Sequence, residues 1–62
     1  MLELFYVTCY NPQRDEEQRL LVSDRNTNGA KLQVAAWCDG TDWDVELFDF
    51  ICETPNTIFK EL

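Results

Sequence analysis

The chain has 62 residues, of which 45% are hydrophobic and 27% are charged, and its formal net charge at pH 7 is −7. This length predicts one domain over residues 1–62, and the apolar content is too high for a disordered chain. The negative charge disfavours nucleic acid and anionic membrane surfaces as direct partners, because phosphates would be repelled. A protein with a basic surface is favoured instead.

The first segment, residues 2–10, is rich in aromatic and β-branched side chains and predicts a strand. Asn11-Pro12 ends it, because proline has no N–H to donate to a ladder. Both faces of this strand are apolar, since Tyr6 and Tyr10 lie opposite Phe5 and Val7. A sheet covered on one side would leave one face open. We therefore expect a strongly curved sheet that covers both faces. The alternative is that one face contacts a second copy or a partner.

Residues 13–18 predict a solvated loop and residues 19–24 a second, shorter strand. The next segment admits two interpretations. Asn28-Gly29 is a hairpin signal and residues 31–38 alternate with a period of two, which favours a strand. Alternatively, a helix begins near Thr27 or Asn28 and ends at Gly40. The apolar stripe of that helix would be Ala30, Val34, Trp37 and Cys38. We expect the strand and retain the helix as the alternative.

A turn at residues 39–42 leads into a third apolar segment, residues 43–53. Alternation places Trp43, Val45 and Leu47 on one face. The acidic row Asp42, Asp44 and Glu46 falls on the other face. Phe48 and Phe50 then fall on the acidic face, unless a β-bulge near Leu47-Phe48 returns the apolar residues to one side. Without a bulge the two phenylalanines are exposed and indicate an interface.

Thr54-Pro55 ends this segment, and residues 55–62 predict a short carboxy-terminal tail in which Ile58 and Phe59 pack back. Together the segments predict a mainly β fold. Its core would be a small antiparallel sheet of about four strands, highly twisted or barrel-like. The alternative is an α+β fold with the order β-β-α-β and a helix over residues 28–39.

Residue types exclude most catalytic chemistry. The chain has no histidine and two glycines, so it lacks a His-activated nucleophile and a glycine-rich phosphate loop. A closed zinc site needs four Cys or His ligands, and this chain has three cysteines. The acids from Asp42 onward follow EF-hand spacing, but Leu47 stands where that loop needs glycine. We expect no enzyme activity, cofactor or dedicated metal site, and Cys9, Cys38 and Cys52 as reduced thiols.

Carboxylates are concentrated between Trp37 and Glu53, and no lysine or arginine lies between Lys31 and Lys60. One interpretation is a solvated strand face that keeps the protein soluble and protects a sheet edge. The other is an acidic ridge that competes with nucleic acid for a basic groove. The candidate partner-binding residues are Asp39, Asp42, Asp44, Glu46, Asp49, Tyr6, Tyr10 and Trp37.

Several segments between Arg19 and Phe59 resemble short uncharacterised β proteins of bacteriophage and prophage genomes. Those proteins carry an apolar strand, a glycine turn, an alternating strand and a Trp-Asp-Gly-x-x-Trp hairpin, which Cys38 interrupts here. The matching residues are Leu20-Leu21-Val22, Asn28-Gly29, Val34-Ala35-Ala36, Trp37, Asp39, Gly40 and Trp43. The resemblance implies an origin in mobile genetic elements and no particular activity.

By size and acidity the chain is also similar to phage-encoded inhibitors of host defence, including anti-CRISPR proteins and DNA mimics. That likeness implies a non-catalytic inhibitor that binds a host protein, such as a CRISPR effector, through the acidic ridge. The alternative is a phage accessory or structural protein, monomeric or homodimeric, whose charge serves only solubility. A nucleotide scavenger fits the charge poorly.

The sequence shows no apolar run of about 18 residues and no basic segment at its start, so we expect neither a membrane span nor a signal peptide. The expected location is the cytoplasm of the infected or lysogenic bacterial host.

Overall fold

The computed structural model describes all 62 residues and shows one four-stranded antiparallel sheet with one helix. The elements in chain order are β1 (Leu2–Asn11), β2 (Glu16–Asp24), α1 (Thr27–Cys38), β3 (Asp44–Thr54) and β4 (Phe59–Glu61). The predicted mainly β fold with about four antiparallel strands is confirmed. The order across the sheet is β3-β1-β2-β4, so the sheet stays open at β3 and β4 and does not close into a barrel.

The hairpin between β1 and β2 is tighter than predicted. The Asn11 side-chain oxygen accepts hydrogen bonds from the backbone N–H groups of Gln13 and Arg14, at 3.0 and 3.3 Å. Asp15 adopts a positive φ of 52° and lets the chain reverse. The ladder resumes at once with Asn11 opposite Glu16, so β2 starts earlier than the predicted residue 19.

The segment after β2 is a helix, and the expected strand over residues 31–38 is wrong. Asn26 is the N-cap, and its side chain accepts a hydrogen bond from the Gly29 N–H at 2.8 Å. Gly40, just past the helix, has a φ of +71°, as a C′ glycine does. Gly29 leaves room for the Asp24 carboxylate, which a Cβ at this position would meet. The glycine therefore serves a close approach and not a hairpin.

β3 pairs with β1 along its whole length but changes register twice. One shift lies near Glu46, between the pairs Thr8–Leu47 and Cys9–Val45, and the other lies near Ile51. The predicted bulge near Leu47-Phe48 is therefore found one residue earlier. It does not bring all the apolar residues to one side, because Leu47 pairs with Thr8 while Phe48 pairs with the buried Val7.

The segment expected as a tail, residues 55–62, contains β4, which pairs with β2. Two hydrogen bonds between Ser23 and Ile58 hold the chain just before β4. The Ser23 N–H donates to the Ile58 carbonyl at 2.9 Å. The Ile58 N–H donates to the Ser23 hydroxyl at 2.6 Å. Ile58 is half-buried and Phe59 stays exposed, so the predicted packing holds for the first of them.

The core lies between α1 and the sheet. Ala30 and Val34 of the helix pack on β1 and β2, and Trp37 and Cys38 complete the stripe that the helical interpretation predicted. Burial of these apolar groups is the main stabilising contribution. The fully buried core residues are Phe5, Val7, Cys9, Leu20, Val22, Ala30 and Val34.

Candidate protein-binding surface

No element covers the sheet face opposite α1, which we call the open face. Side chains alternate along a strand, so Tyr6 and Tyr10 point away from the buried Phe5, Val7 and Cys9. Their neighbours across the sheet share this face. The partners of the tyrosines and of Thr8 between them are Glu17, Arg19 and Leu21 on β2 and Asp44, Leu47 and Asp49 on β3, and Lys60 of β4 pairs with Leu21.

Two of the candidate acids lie beside the two tyrosines. Asp44 is the register partner of Tyr10, and Asp49 is the register partner of Tyr6. Both carboxylates are exposed, while both tyrosines are half-buried. The open face therefore combines flat aromatic surface with negative charge on its β1–β3 half.

The remaining candidate acids do not continue this pair as one ridge. Asp39 and Asp42 lie in the loop between α1 and β3, and Glu46 lies at the first bulge. The expected row of Asp42, Asp44 and Glu46 on one strand face is therefore wrong. The row fails because β3 begins only at Asp44 and because the bulge interrupts the alternation.

Tyr10 makes a specific contact with the hairpin. Its hydroxyl donates to a carboxylate oxygen of Asp15 at 2.5 Å. This hydrogen bond to the neutral phenol, with smaller contributions from burial and from the negative charges of Asp15 and Glu46, raises the pKa of Tyr10 above its ordinary value. The bond holds the ring at one end of the open face.

Trp37 does not belong to the open face. It lies on α1, and its indole N–H donates to the Glu61 carboxylate of β4 at 2.8 Å. Its ring centre lies 5.7 Å from that of Trp43. The tryptophan thus ties the helix to both β4 and the loop before β3, on the other side of the sheet from the two tyrosines.

β3 is the longest strand, and most of its residues are exposed. Only Thr54 is buried and only Phe48 is half-buried among its eleven residues. Phe50 is 53% exposed, although its ring contacts Phe5 edge-on at 5.9 Å between centres. The other exposed apolar residues of the strand are Val45, Leu47 and Ile51.

A groove of about 310 Å³ runs between α1 and β3 on the helical side of the sheet. Val34 and Ala35 form its helical wall, and Val45 and Phe48 form its strand wall. Lys31 is the fifth lining residue, and its ammonium group lies 5.8 Å from the centre of the Phe48 ring. The sequence analysis missed this groove because it depends on the helix. Helical spacing would have placed Lys31, Val34 and Ala35 on one side.

The three cysteines are free and differ in exposure: Cys9 is buried, Cys38 half-buried and Cys52 exposed. Burial, reinforced by the Cys38 thiol beside it, raises the pKa of Cys9 to about 12. Burial also raises the pKa of Cys38. No three His, Cys, Asp or Glu side chains are grouped so that they could hold a metal ion.

Comparisons with known proteins found no relative of this chain. No protein-family model matches the chain, no curated protein is similar to it, and no solved structure matches it. The single helix is too short to cross a membrane.

Proposed function

We propose that this protein is a non-catalytic binding protein that docks a basic protein surface on its open face. The observation that carries the proposal is the placement of Asp44 beside Tyr10 and Asp49 beside Tyr6 on an uncovered sheet. Tyrosine is enriched among residues that dominate binding energy, because its ring buries a large area and loses little conformational freedom.

Electrostatics favour the same kind of partner. The net charge is −7, and the partners of Asp44 and Asp49 on β1 are the two tyrosines. The basic residues of the open face, Arg19 and Lys60, lie on the other half of the sheet, on β2 and β4. A field of one sign accelerates the encounter with an oppositely charged surface, and charges near the contact fix its orientation. Binding should therefore weaken as the salt concentration rises.

The resemblance to phage and prophage proteins supports a more specific form of this proposal. In that form the protein is a phage-type inhibitor in the bacterial cytoplasm, and its partner is a host nucleic-acid-binding defence protein such as a CRISPR effector. The acidic face would occupy the basic groove that otherwise holds nucleic acid.

The exposed apolar residues of β3 favour a second candidate, a homodimeric phage accessory protein whose charge serves solubility. Val45, Leu47, Phe50 and Ile51 are each more than two-fifths exposed, and a second copy that covered the strand would remove these apolar side chains from water. In this case the partner is a second copy and no host protein is bound.

The test is a pull-down from bacterial lysate with two charge-reversed variants that change the net charge equally. The first, Asp44→Lys with Asp49→Lys, alters the open face. The second, Glu3→Lys with Glu53→Lys, is the matched control, because Glu3 and Glu53 are register partners on the helical side. Both variants are first shown to be folded by circular dichroism.

We expect one stoichiometric partner that the wild-type protein and the control retain and the open-face variant loses. If both variants lose the partner equally, net charge alone explains the binding, and the proposal of a specific binding face is contradicted. Sedimentation that shows a stable dimer, together with no retained partner, would favour the accessory protein.

A further inference from the structure

The free edge of β3 is equipped to accept another strand. β3 pairs with β1 on one side only, so its second side presents backbone N–H and C=O groups without a protein partner. The register shifts near Glu46 and Ile51 bound a regular stretch, residues 47–50. Bulges limit indiscriminate pairing along an edge, and they leave this stretch as the place where a specific strand fits.

The groove lies beside this edge and would receive side chains from one face of an added strand. Its walls are Val34 and Ala35 from α1 and Val45 and Phe48 from β3. Because successive side chains of a strand point to opposite faces, every second residue of an added strand would point to the groove side. Those residues should be apolar, since Lys31 is the only charged group that lines the groove.

The alternate residues of an added strand would point to the open face, where Asp44 and Asp49 lie. Opposite charges on neighbouring strands stabilise pairing, and like charges on neighbouring strands oppose it. β3 contains Asp44, Glu46, Asp49 and Glu53 and no basic residue. A second copy that paired through β3 would therefore bring acids against acids, and a basic segment is the complementary occupant.

We propose that the β3 edge binds an extended segment of the partner in which apolar and basic residues alternate, added to the sheet as a fifth strand. This inference rests on the proposed function, and it defines the chemistry of the bound segment. Main-chain hydrogen bonds to β3 supply affinity, and side-chain pockets on the two faces supply selectivity. The apolar residues enter the groove and the basic residues face Asp44 and Asp49.

The test uses two short peptides of identical composition, one with valine and lysine alternating and one with the valines and lysines in separate blocks. Affinity is measured by calorimetry, and the contact surface is mapped by ¹⁵N NMR shifts. We expect the alternating peptide to bind at least about tenfold more tightly and to shift amides of residues 45–50. Equal affinities would overturn the inference, because charge alone would then explain binding.

Two matched helix variants separate the groove from the charge. Ala35→Glu places a carboxylate in the groove, while Ala36→Glu adds the same charge at an exposed position that does not line it. A purely electrostatic site would bind the basic peptide no less tightly in either variant. We expect Ala35→Glu to lose about tenfold in affinity and Ala36→Glu to lose none. Unchanged binding to Ala35→Glu would overturn the inference.

The outcomes distinguish this inference from the function on which it rests. A lysate partner that needs Asp44 and Asp49 but tolerates Ala35→Glu would support the open-face function and contradict strand addition. Without peptide, a rising protein concentration should not broaden the NMR lines or shift the β3 amides if the edge is free. If it does both, the occupant is a second copy, and the proposal of a basic partner segment is overturned.

Discussion

β1 and β3 lie side by side in the sheet and are nearly equal in length, yet their side chains meet different surroundings. β1 buries Phe5, Val7 and Cys9 between β2, β3 and the helix, whereas β3 leaves almost every side chain in solvent. The helix explains the difference, because it packs chiefly over β2. One strand therefore lies at the centre of the fold, and the other is an edge strand with exposed apolar side chains.

The largest expected difference between the two strands is in thiol reactivity. Cys9 of β1 is buried with its pKa raised to about 12, while Cys52 of β3 is exposed. Only the thiolate reacts with iodoacetamide. We therefore expect Cys9 to react only after the protein unfolds, whereas Cys52 reacts in the folded state. We expect rates that differ by about 1,000-fold or more, measured by mass spectrometry of peptides after timed labelling. Similar rates in the folded protein would contradict the contrast.

The next largest difference is expected in the free energy of unfolding, when a leucine in the core and a leucine on β3 are each truncated to alanine. Leu20 is fully buried opposite Val7, and Leu47 is 44% exposed opposite Thr8. Leu20→Ala should lower the free energy of unfolding by about 2–5 kcal/mol, because it leaves a cavity. Leu47→Ala should cost less than about 1 kcal/mol. Urea unfolding followed by tryptophan fluorescence measures both, and equal costs would mean that β3 is buried in solution.

The smallest expected effect tests the helix that covers β2. Asn26→Ala removes the side-chain oxygen that accepts from the Gly29 N–H, and it should cost about 1 kcal/mol in unfolding free energy. Asn28→Ala, at an exposed position inside the first turn, serves as the control and should change stability by less than about 0.5 kcal/mol. If residues 27–38 formed a hairpin strand, Asn28→Ala would be the more harmful change, since Asn-Gly would form the turn.

The helix shows where sequence reasoning failed and why. Residues 31–38 fit a period of two as well as a helical stripe, because two adjacent alanines are compatible with either pattern. The alternation would have buried Leu32, which is in fact 71% exposed. The correct signals were the cap residues, Asn26 at the start and Gly40 at the end. Only Gly40 entered the helical interpretation, which started the helix at Thr27 or Asn28. Asn28-Gly29 favoured a hairpin instead, although its glycine serves contact with Asp24.

The sequence indicates candidate residues for a binding surface but not how they are arranged. The two apolar faces of the first strand favoured a curved sheet that covers both, whereas the structure has the alternative, one covered face and one open face. The acidic row failed at Glu46, because bulge positions depend on pairing between distant strands, here β1 with β3. Helical spacing would have given one wall of the groove, but the groove itself also depends on where the helix lies on the sheet.

The most direct test of an available β3 edge is residue-resolved amide hydrogen exchange of the free protein at several protein concentrations. β1 has hydrogen-bonded neighbours on both sides, so its amides should exchange slowly throughout. In β3 we expect fast and slow amides in turn over residues 47–50, with the fast ones facing away from β1 at every concentration. If all β3 amides exchange slowly, and more slowly as the protein concentration rises, a second copy already occupies the edge. That result would contradict the account.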